Sequence, residues 1–336
     1  MNYLVVMAML TATLLNAAAV EWVRAGMNTN AAVWGIRGGL QFALHPNGFS
    51  GGDGGPRGLI RLGYPTLSNA QYDLINFIAV EPIVRGKKGF SELEKSAFDG
   101  RPGKMFWTGP SAEPPKSTAF DSGSLRKLEN GVEELVVDLT VERFENGTQV
   151  RLQLSQRSDA PDELRLTVHA VNGSALIESC ILTATMGNKA RARLLFLNDG
   201  PVSSLQLYPD YKDIHFADHR IFGVDRMSRM PNGDAAVWIE NDEENPSAVQ
   251  PFGRPHFWNY RGRKVIQYWR KPAAEANPSL QCVVNARYTY WGSQQKIPGG
   301  ISFENFELRE PFRSGQTYIF GITTNRLAVL KESDRD

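Results

Sequence analysis

The 336-residue sequence contains only two cysteines and five histidines, which leaves few ligands for a transition metal. It has no HExxH, CxxC or EF-hand pattern, so the motifs of the common zinc and calcium sites are absent. Its formal net charge is only +1, whereas nucleic-acid binding requires a concentrated basic face. We therefore expect no cofactor, no metal site built on these motifs and no nucleic-acid partner. The sequence leaves calcium binding open.

Helical patterns are also scarce, and only residues 91–98 suggest a short helix. Strand patterns dominate instead. Val150, Leu152 and Leu154 alternate with polar residues, as expected for a strand with one solvated face. Turn sequences such as Asn172-Gly173 separate neighbouring strands. We count roughly twelve to fifteen strands, which predicts an all-β fold, a large antiparallel two-sheet β-sandwich with long loops.

A long apolar run lies at the N terminus, from Tyr3 to Leu15, and the small residues of 16–19 follow it. This pattern predicts a signal peptide over residues 1–19, although Met1-Asn2 lacks the usual basic residue. The alternative is an uncleaved membrane anchor, but the run is shorter than the roughly 20 residues that span a bilayer. We therefore expect a secreted or periplasmic protein. Residues 20–330 would form one sandwich domain, with no membrane span after signal cleavage.

The two cysteines, Cys180 and Cys282, both fall in predicted strands. In an exported protein an even count is compatible with one disulfide. Two buried free thiols fit the sequence equally well, and both alternatives stay open at this point.

The segment 301–320 contains an isolated acid, Glu304, on a predicted strand between Phe303 and Phe306. A carboxylate with aromatic neighbours is a group whose pKa can be tuned for proton transfer. Glu307 follows three residues later. In a regular strand this odd offset places the two acids on opposite faces, so that only one of them faces a given cleft.

Other candidate catalytic residues lie far from Glu304 in sequence. Glu81 interrupts the apolar run IAVEPIV, where it is either a second reactive carboxylate or the structural partner of an arginine in an ion pair at the strand end. The loop after Tyr208 mixes groups suited to proton transfer and to anchoring a carboxylate or hydroxyl. It is either an active-site loop or a polar surface loop, and its candidates are Tyr211, His215, His219 and Arg220.

Residues 251–270 mix aromatic and basic side chains closely. Flat aromatic rings beside arginines suit sugar binding, because the ring takes the apolar face of the sugar and the polar groups bond its hydroxyls. The alternative is aromatic packing between two sheets, with the arginines at its edge. The predicted substrate-binding residues are Arg254, His256, Trp258, Tyr260, Arg261 and Trp269.

The closing segment resembles the end of the galactose mutarotase-like supersandwich: Gly299-Gly300, the lone strand acid Glu304, a short link, then residues 314–318, SGQTY. The resemblance implies one large two-sheet β-sandwich with a concave carbohydrate-binding face. It also implies that Glu304 is the base that takes a proton from the sugar. The family's proton-donating histidine has no counterpart in LLFLNDGPV, so His215 or His219 of the next loop would have to replace it.

These patterns favour a secreted carbohydrate-active enzyme that acts on a poly- or oligosaccharide by proton transfer. Lyase, epimerase and hydrolase chemistries all remain open, since the same fold carries several reactions. A non-catalytic glycan-binding or cell-envelope β-sandwich protein is the alternative, and a scaffold without a sugar ligand is a third possibility. The sequence does not identify the glycan, the linkage or the oligomeric state.

Overall fold

Two antiparallel β-sheets pack face to face and enclose one apolar core, as the strand patterns predict. The computed structural model describes residues 20–44, 57–66, 70–115, 120–186, 191–240 and 265–324. These residues contain 21 strands, more than the number counted from the sequence, because several strands are only two to four residues long.

The first sheet has ten strands, which come from both ends of the chain. They are β1 (Trp22–Val23), β2 (Val33–Ile36), β3 (Gln41–Ala43), β4 (Ile60–Tyr64), β5 (Asp73–Val84), β6 (Lys87–Lys88), β12 (Ser179–Thr185), β15 (Arg220–Gly223), β19 (Gln281–Arg287) and β20 (Ser302–Arg309).

The second sheet has eleven strands. They are β7 (Phe106–Thr108), β8 (Ser124–Lys127), β9 (Glu133–Val141), β10 (Val150–Arg157), β11 (Glu163–Ala170), β13 (Leu194–Leu197), β14 (Gly200–Ser203), β16 (Ser228–Arg229), β17 (Ala235–Glu240), β18 (Ile266–Lys271) and β21 (Gln316–Thr323).

Helical structure is limited to three short elements of the described chain: α1 (Ser204–Leu207) and the 3-10 turns Val224–Arg226 and Ala273–Glu275. The helix expected over residues 91–98 is wrong, because this segment forms successive turns. In the ranges that the structure describes, no helix has the length and apolar character needed to cross a bilayer.

The order of strands in the first sheet determines which distant residues meet. Five strands, β5, β12, β20, β19 and β15, lie side by side in that order. On β5 and β12, Glu81 lies directly opposite Ile181, so both side chains project from the same face of the sheet. This part of the sheet therefore brings together residues that are more than 200 positions apart in sequence.

The core lies between the inner faces of the two sheets. Burial of its residues confirms the alternation of apolar and polar side chains predicted from the sequence. Leu152, Leu154 and Leu166 are buried there. Trp269 is buried in the same core, where its indole N–H donates to the Phe306 carbonyl at 2.9 Å. Its predicted role as a sugar-contacting residue is therefore wrong, because the ring packs between the sheets and does not face solvent.

Strand β20 contains a β-bulge in the segment that carries the candidate base. Val284 pairs with Phe306, but Ala286 pairs with Phe303, so that 304–305 oppose a single residue of β19. An extra residue of this kind shifts the alternation of side chains by one position. As a result Phe303 and Phe306 both enter the core.

The bulge also places Glu304 and Glu307 on the same, outward face of the first sheet. Glu304 contacts Thr185 and Glu307 contacts Thr183, and both threonines alternate along β12 with core residues. The expectation that the two acids face opposite sides is wrong, because it assumed a regular strand.

Both cysteines are buried free thiols, Cys180 on β12 and Cys282 on β19. Strand β20 lies between these two strands. A disulfide requires Cα atoms within about 7 Å, and a separation of two strand spacings exceeds that distance.

We predict that a thiol-specific reagent finds no accessible cysteine in the native protein and two in the denatured, unreduced protein. Burial raises the pKa of both thiols well above the ordinary value and excludes the reagent. A parallel sample reduced before denaturation gives the same count. Absence of thiols in the unreduced denatured sample, with two after reduction, would show a disulfide and contradict the structure.

Candidate active site

Three glutamates lie on the outward face of the first sheet, and a fourth is close enough to interact electrostatically with two of them. Glu81 lies on β5, Glu304 and Glu307 lie on β20, and Glu92 follows β6 in a turn. The first three are only 6%, 5% and 2% exposed, and Glu92 is partly exposed. Glu81 and Glu304 both act electrostatically on Glu92, and Glu81 acts on Glu307. We call these four residues the acidic cluster.

A threonine on the strand between them links Glu81 and Glu307. The Thr183 Oγ1 atom lies 3.0 Å from Glu81 Oε2 and 2.5 Å from Glu307 Oε2. The Lys88 ammonium donates to the same Glu81 oxygen at 2.7 Å. The ion pair expected for Glu81 is therefore present, but its partner is Lys88 and not an arginine. The same residue also belongs to the acidic cluster.

Glu304 has its own set of neighbours. The Thr185 hydroxyl donates to its Oε1 at 3.3 Å, and Arg287 Nη1 lies 3.6 Å from the same oxygen. The Arg287 guanidinium lies 5.4 Å from the centre of the Phe216 ring, a cation–π contact. Because Phe216 is 48% exposed, an aromatic surface open to solvent lies directly beyond the partner of Glu304.

Burial and crowding of like charge raise two of the carboxyl pKa values. Burial, together with the negative charges of Glu81 and Glu304, raises the pKa of Glu92 to about 7. Burial and the charge of Glu81 likewise raise the pKa of Glu307 to about 7. Near neutral pH the cluster therefore contains carboxylic acids that can donate a proton, beside carboxylates that can accept one.

Of the predicted catalytic residues, Glu81, Glu304 and His219 come together. His219 precedes β15 at the edge of these strands, where Glu81, Lys88 and Arg309 act on it electrostatically. Burial lowers the pKa of His219, so the imidazole is mainly neutral near pH 7. Its side chain is largely exposed at the rim of the cluster.

The other residues of that loop have different surroundings. His215 is exposed and lies 3.9 Å from Asp213. Tyr211 packs against the core, and burial raises its pKa. The Arg220 guanidinium stacks on the Tyr208 ring at 5.2 Å. The proposed catalytic roles of His215, Tyr211 and Arg220 stay predictions.

Most of the predicted substrate-binding residues cannot be placed. Arg254, His256, Trp258, Tyr260 and Arg261 lie outside the described residues. Their role in sugar binding stays a prediction.

Sequence reasoning missed four members of the site: Lys88, Glu92, Thr183 and Arg287. Glu92 lies in the segment 91–98, which the sequence pattern assigns to a short helix. The alternation in SCILTAT, with Thr183 and Thr185 between apolar residues, was the one signal that these hydroxyls share an outward face.

Two surface clefts lie elsewhere, on the second sheet. One is lined by Glu163, Arg165 and Arg270, and the other by Arg151 and His169. In the first cleft the Arg270 guanidinium donates to the two carboxylate oxygens of Glu163 at 2.9 and 2.5 Å. The charges of Glu163 and Arg270 are therefore neutralised within the protein. The acidic cluster is the stronger candidate for chemistry because it combines proton donors with acceptors. No trio of His, Cys, Asp or Glu side chains in the described part of the chain is arranged to hold a metal ion.

A scan against protein-family models finds no match, and a search of curated proteins finds no relative. Among solved structures, the chain is similar to the galactosidase domain of an alpha-galactosidase–sucrose kinase, AgaSK. The alignment covers 94% of this chain and 43% of that one, with 10% identity and a TM-score of 0.37. The chain thus spans less than half of that structure, and a likeness this distant assigns neither a fold nor an activity.

We predict that the acidic cluster makes the protein less stable as pH rises from about 5 to 8. A carboxyl with a raised pKa binds its proton more tightly in the folded state, so its contribution is complete below the unfolded pKa and is lost through about pH 7. One pKa unit is worth about 1.4 kcal/mol, so each group should account for about 1–3 kcal/mol.

The measurement is urea-induced unfolding at pH 5 and pH 8. Glu92→Gln and Glu307→Gln should each reduce the loss in unfolding free energy between the two values. Glu129→Gln, at an exposed turn, is the control and should leave the loss unchanged. An equal loss in all four proteins would show that neither carboxyl has a raised pKa.

Proposed function

We propose that the protein is an acid–base enzyme that acts on a poly- or oligosaccharide. The observation that carries this proposal is the acidic cluster, in which burial and the negative charges of Glu81 and Glu304 raise the pKa of Glu92 to about 7. Pairs of carboxyl groups with separated pKa values are typical of acid–base catalysis. The sugar substrate is supported by the aromatic and arginine-rich segment 251–270 and by the exposed ring of Phe216.

In a hydrolase reaction, Glu92 gives its proton to the glycosidic oxygen as the bond from that oxygen to the anomeric carbon breaks. Glu304 takes a proton from the water that attacks the anomeric carbon, and exchange with solvent restores both groups. Arg287 balances the charge of Glu304, and Thr185 orients its carboxylate. The result is one new hemiacetal and one new alcohol.

The elimination and epimerase versions use the same base. In a lyase, Glu304 removes the proton next to a uronate carboxyl, and cationic groups neutralise that carboxyl. In an epimerase, Glu304 takes the proton of the anomeric hydroxyl, and His219 or Glu92 protonates the ring oxygen. The hydrolase version is favoured because the cluster supplies a carboxylic acid and a carboxylate in the same place.

The burial of the acids favours a second candidate function, a non-catalytic glycan-binding or envelope protein. Glu81, Glu304 and Glu307 are nearly inaccessible, and their contacts with Lys88 and Arg287 are those of a structural ion network. In that case the aromatic and arginine-rich segment 251–270 binds the glycan, and the acids only hold the strands in place.

We predict that Glu304→Gln and Glu92→Gln each lower turnover about 10²–10⁴-fold, the usual contribution of a positioned acid or base. The assay screens the purified chain against a panel of polysaccharides and analyses the products. An ultraviolet-absorbing unsaturated product identifies a lyase, a new reducing end without it identifies a hydrolase, and altered anomer exchange identifies an epimerase.

Glu129→Gln is the matched control and should retain full turnover. Both site variants should also keep their affinity for the glycan, because the substitutions do not change the aromatic and arginine residues that are proposed to contact it. If wild-type protein binds a glycan but converts none, the binding function replaces the enzyme. Full activity in both site variants would rule out the assigned acid and base.

A further inference from the structure

The Thr183 hydroxyl lies between two carboxyl groups, and this arrangement requires one of the two carboxyl groups to carry a proton. Its oxygen is within hydrogen-bond distance of both Glu81 and Glu307. A hydroxyl carries only one hydrogen, so it can donate to only one carboxyl group. The other contact holds only if that second carboxyl is protonated and donates to the hydroxyl oxygen.

Lys88 determines which carboxyl is ionised. Its ammonium lies 2.7 Å from Glu81 Oε2, the same oxygen that Thr183 contacts. An ammonium has only donor hydrogens, and a neighbouring positive charge favours the ionised form of a carboxyl. Glu81 therefore accepts from both Lys88 and Thr183, and the proton must lie on Glu307.

Burial and the charge of Glu81 both favour this placement of the proton. Glu307 is 2% exposed, and burial is the largest cause of its raised pKa, followed by the charge of Glu81 on β5. Lys88 on β6 and Arg309 on β20 itself oppose the shift. On the neighbouring strand β19, the Cys282 thiol interacts electrostatically with Glu307 and is neutral because burial raises its pKa.

We propose that Thr183 and Lys88 are positioning residues that hold a single proton on Glu307 and keep Glu81 ionised. Glu307 donates its proton to the Thr183 hydroxyl, which in turn donates to Glu81. Lys88 also donates to Glu81. The ionised Glu81 is one of the charges that keep Glu92 protonated near neutral pH. The role in keeping Glu92 protonated rests on the proposed acid–base function, whereas the location of the proton on Glu307 does not.

The test is difference infrared spectroscopy of the protein without substrate at pH 6.5. All variants carry Glu92→Gln, because Glu92 contributes a carboxylic-acid band of its own. The parent should show a deuterium-sensitive C=O band of a buried carboxylic acid. Glu307→Gln should remove this band, whereas Glu81→Gln should leave a carboxylic-acid band. The reverse result, or a parent without such a band, overturns the inference.

The role of Lys88 has a separate readout. In the Glu307→Gln protein, adding Lys88→Met should restore a carboxylic-acid band, now on Glu81, because the ionised form has lost its partner. Adding Lys88→Arg should not restore it, because the positive charge is kept. A merely structural lysine would give the same spectrum with either substitution, and that outcome overturns its positioning role.

Thr183→Val keeps the shape of the side chain and removes the hydroxyl. We expect the Glu307 band to move to higher frequency, because its proton has lost its acceptor. An unchanged band overturns the role of Thr183, and this variant also provides the measurement if Glu307→Gln does not fold. Because no substrate is used, a negative result in these spectra does not test the enzymatic proposal. That proposal is tested by the turnover assay alone.

Discussion

One extra residue in strand β20 determines whether the site exists at all. In a regular strand, residues 304 and 307 project from opposite faces, so that one of the two carboxyl groups would enter the core beside one phenylalanine while the other phenylalanine turned outward. An ionised carboxyl there costs several kcal/mol unless it is paired. The bulge opposite Asn285 avoids this cost, since the Asn285 side chain accepts the Asn305 N–H at 3.0 Å and both phenylalanines stay inside.

A second buried charge cluster shows what a purely structural arrangement looks like. The Lys271 ammonium is fully buried; it donates to Glu275 and to the Thr317 carbonyl at 3.0 Å each and forms an ion pair with Glu310 at 2.6 Å. Arg313 lies 3.8 Å from Glu310, so two basic groups balance the two carboxyl groups, and the Tyr318 ring lies over the ammonium. In the acidic cluster, by contrast, carboxyl groups outnumber their basic partners. Protons have to neutralise the excess, and this is what makes the cluster titratable.

The sequence predicts most of this fold because its signals are local. The alternation of Val150, Leu152 and Leu154 and the turns between strands give both the strands and their solvated faces. The two-sheet sandwich follows from the number of strands. Sheet order does not follow in the same way, because it depends on pairings between strands that are far apart in sequence. The pairing of β5 with β12 is one of these.

The site was only partly predictable for the same reason. Glu304 and Glu81 are conspicuous because each is an acid within an apolar strand, and the neighbouring residues in sequence are enough to show this. Glu92 and Thr183 acquire their meaning only from partners on other strands. The bulge has no marker in the sequence either, because neither glycine nor proline is present at residues 304–305.

The exposure of the cluster determines which of its groups the proposed substrate would contact first. Glu92 and the neighbouring His219 are more accessible than the other three glutamates, and Phe216 presents an open ring beyond Arg287. Glu81 is nearly closed off, so it would act on the proposed substrate mainly through its electric field. A buried charge is screened less than an exposed one, so Glu81 keeps its effect on Glu92 at physiological salt. The protonated state of the accessible acid thus depends in part on a charge that solvent barely reaches.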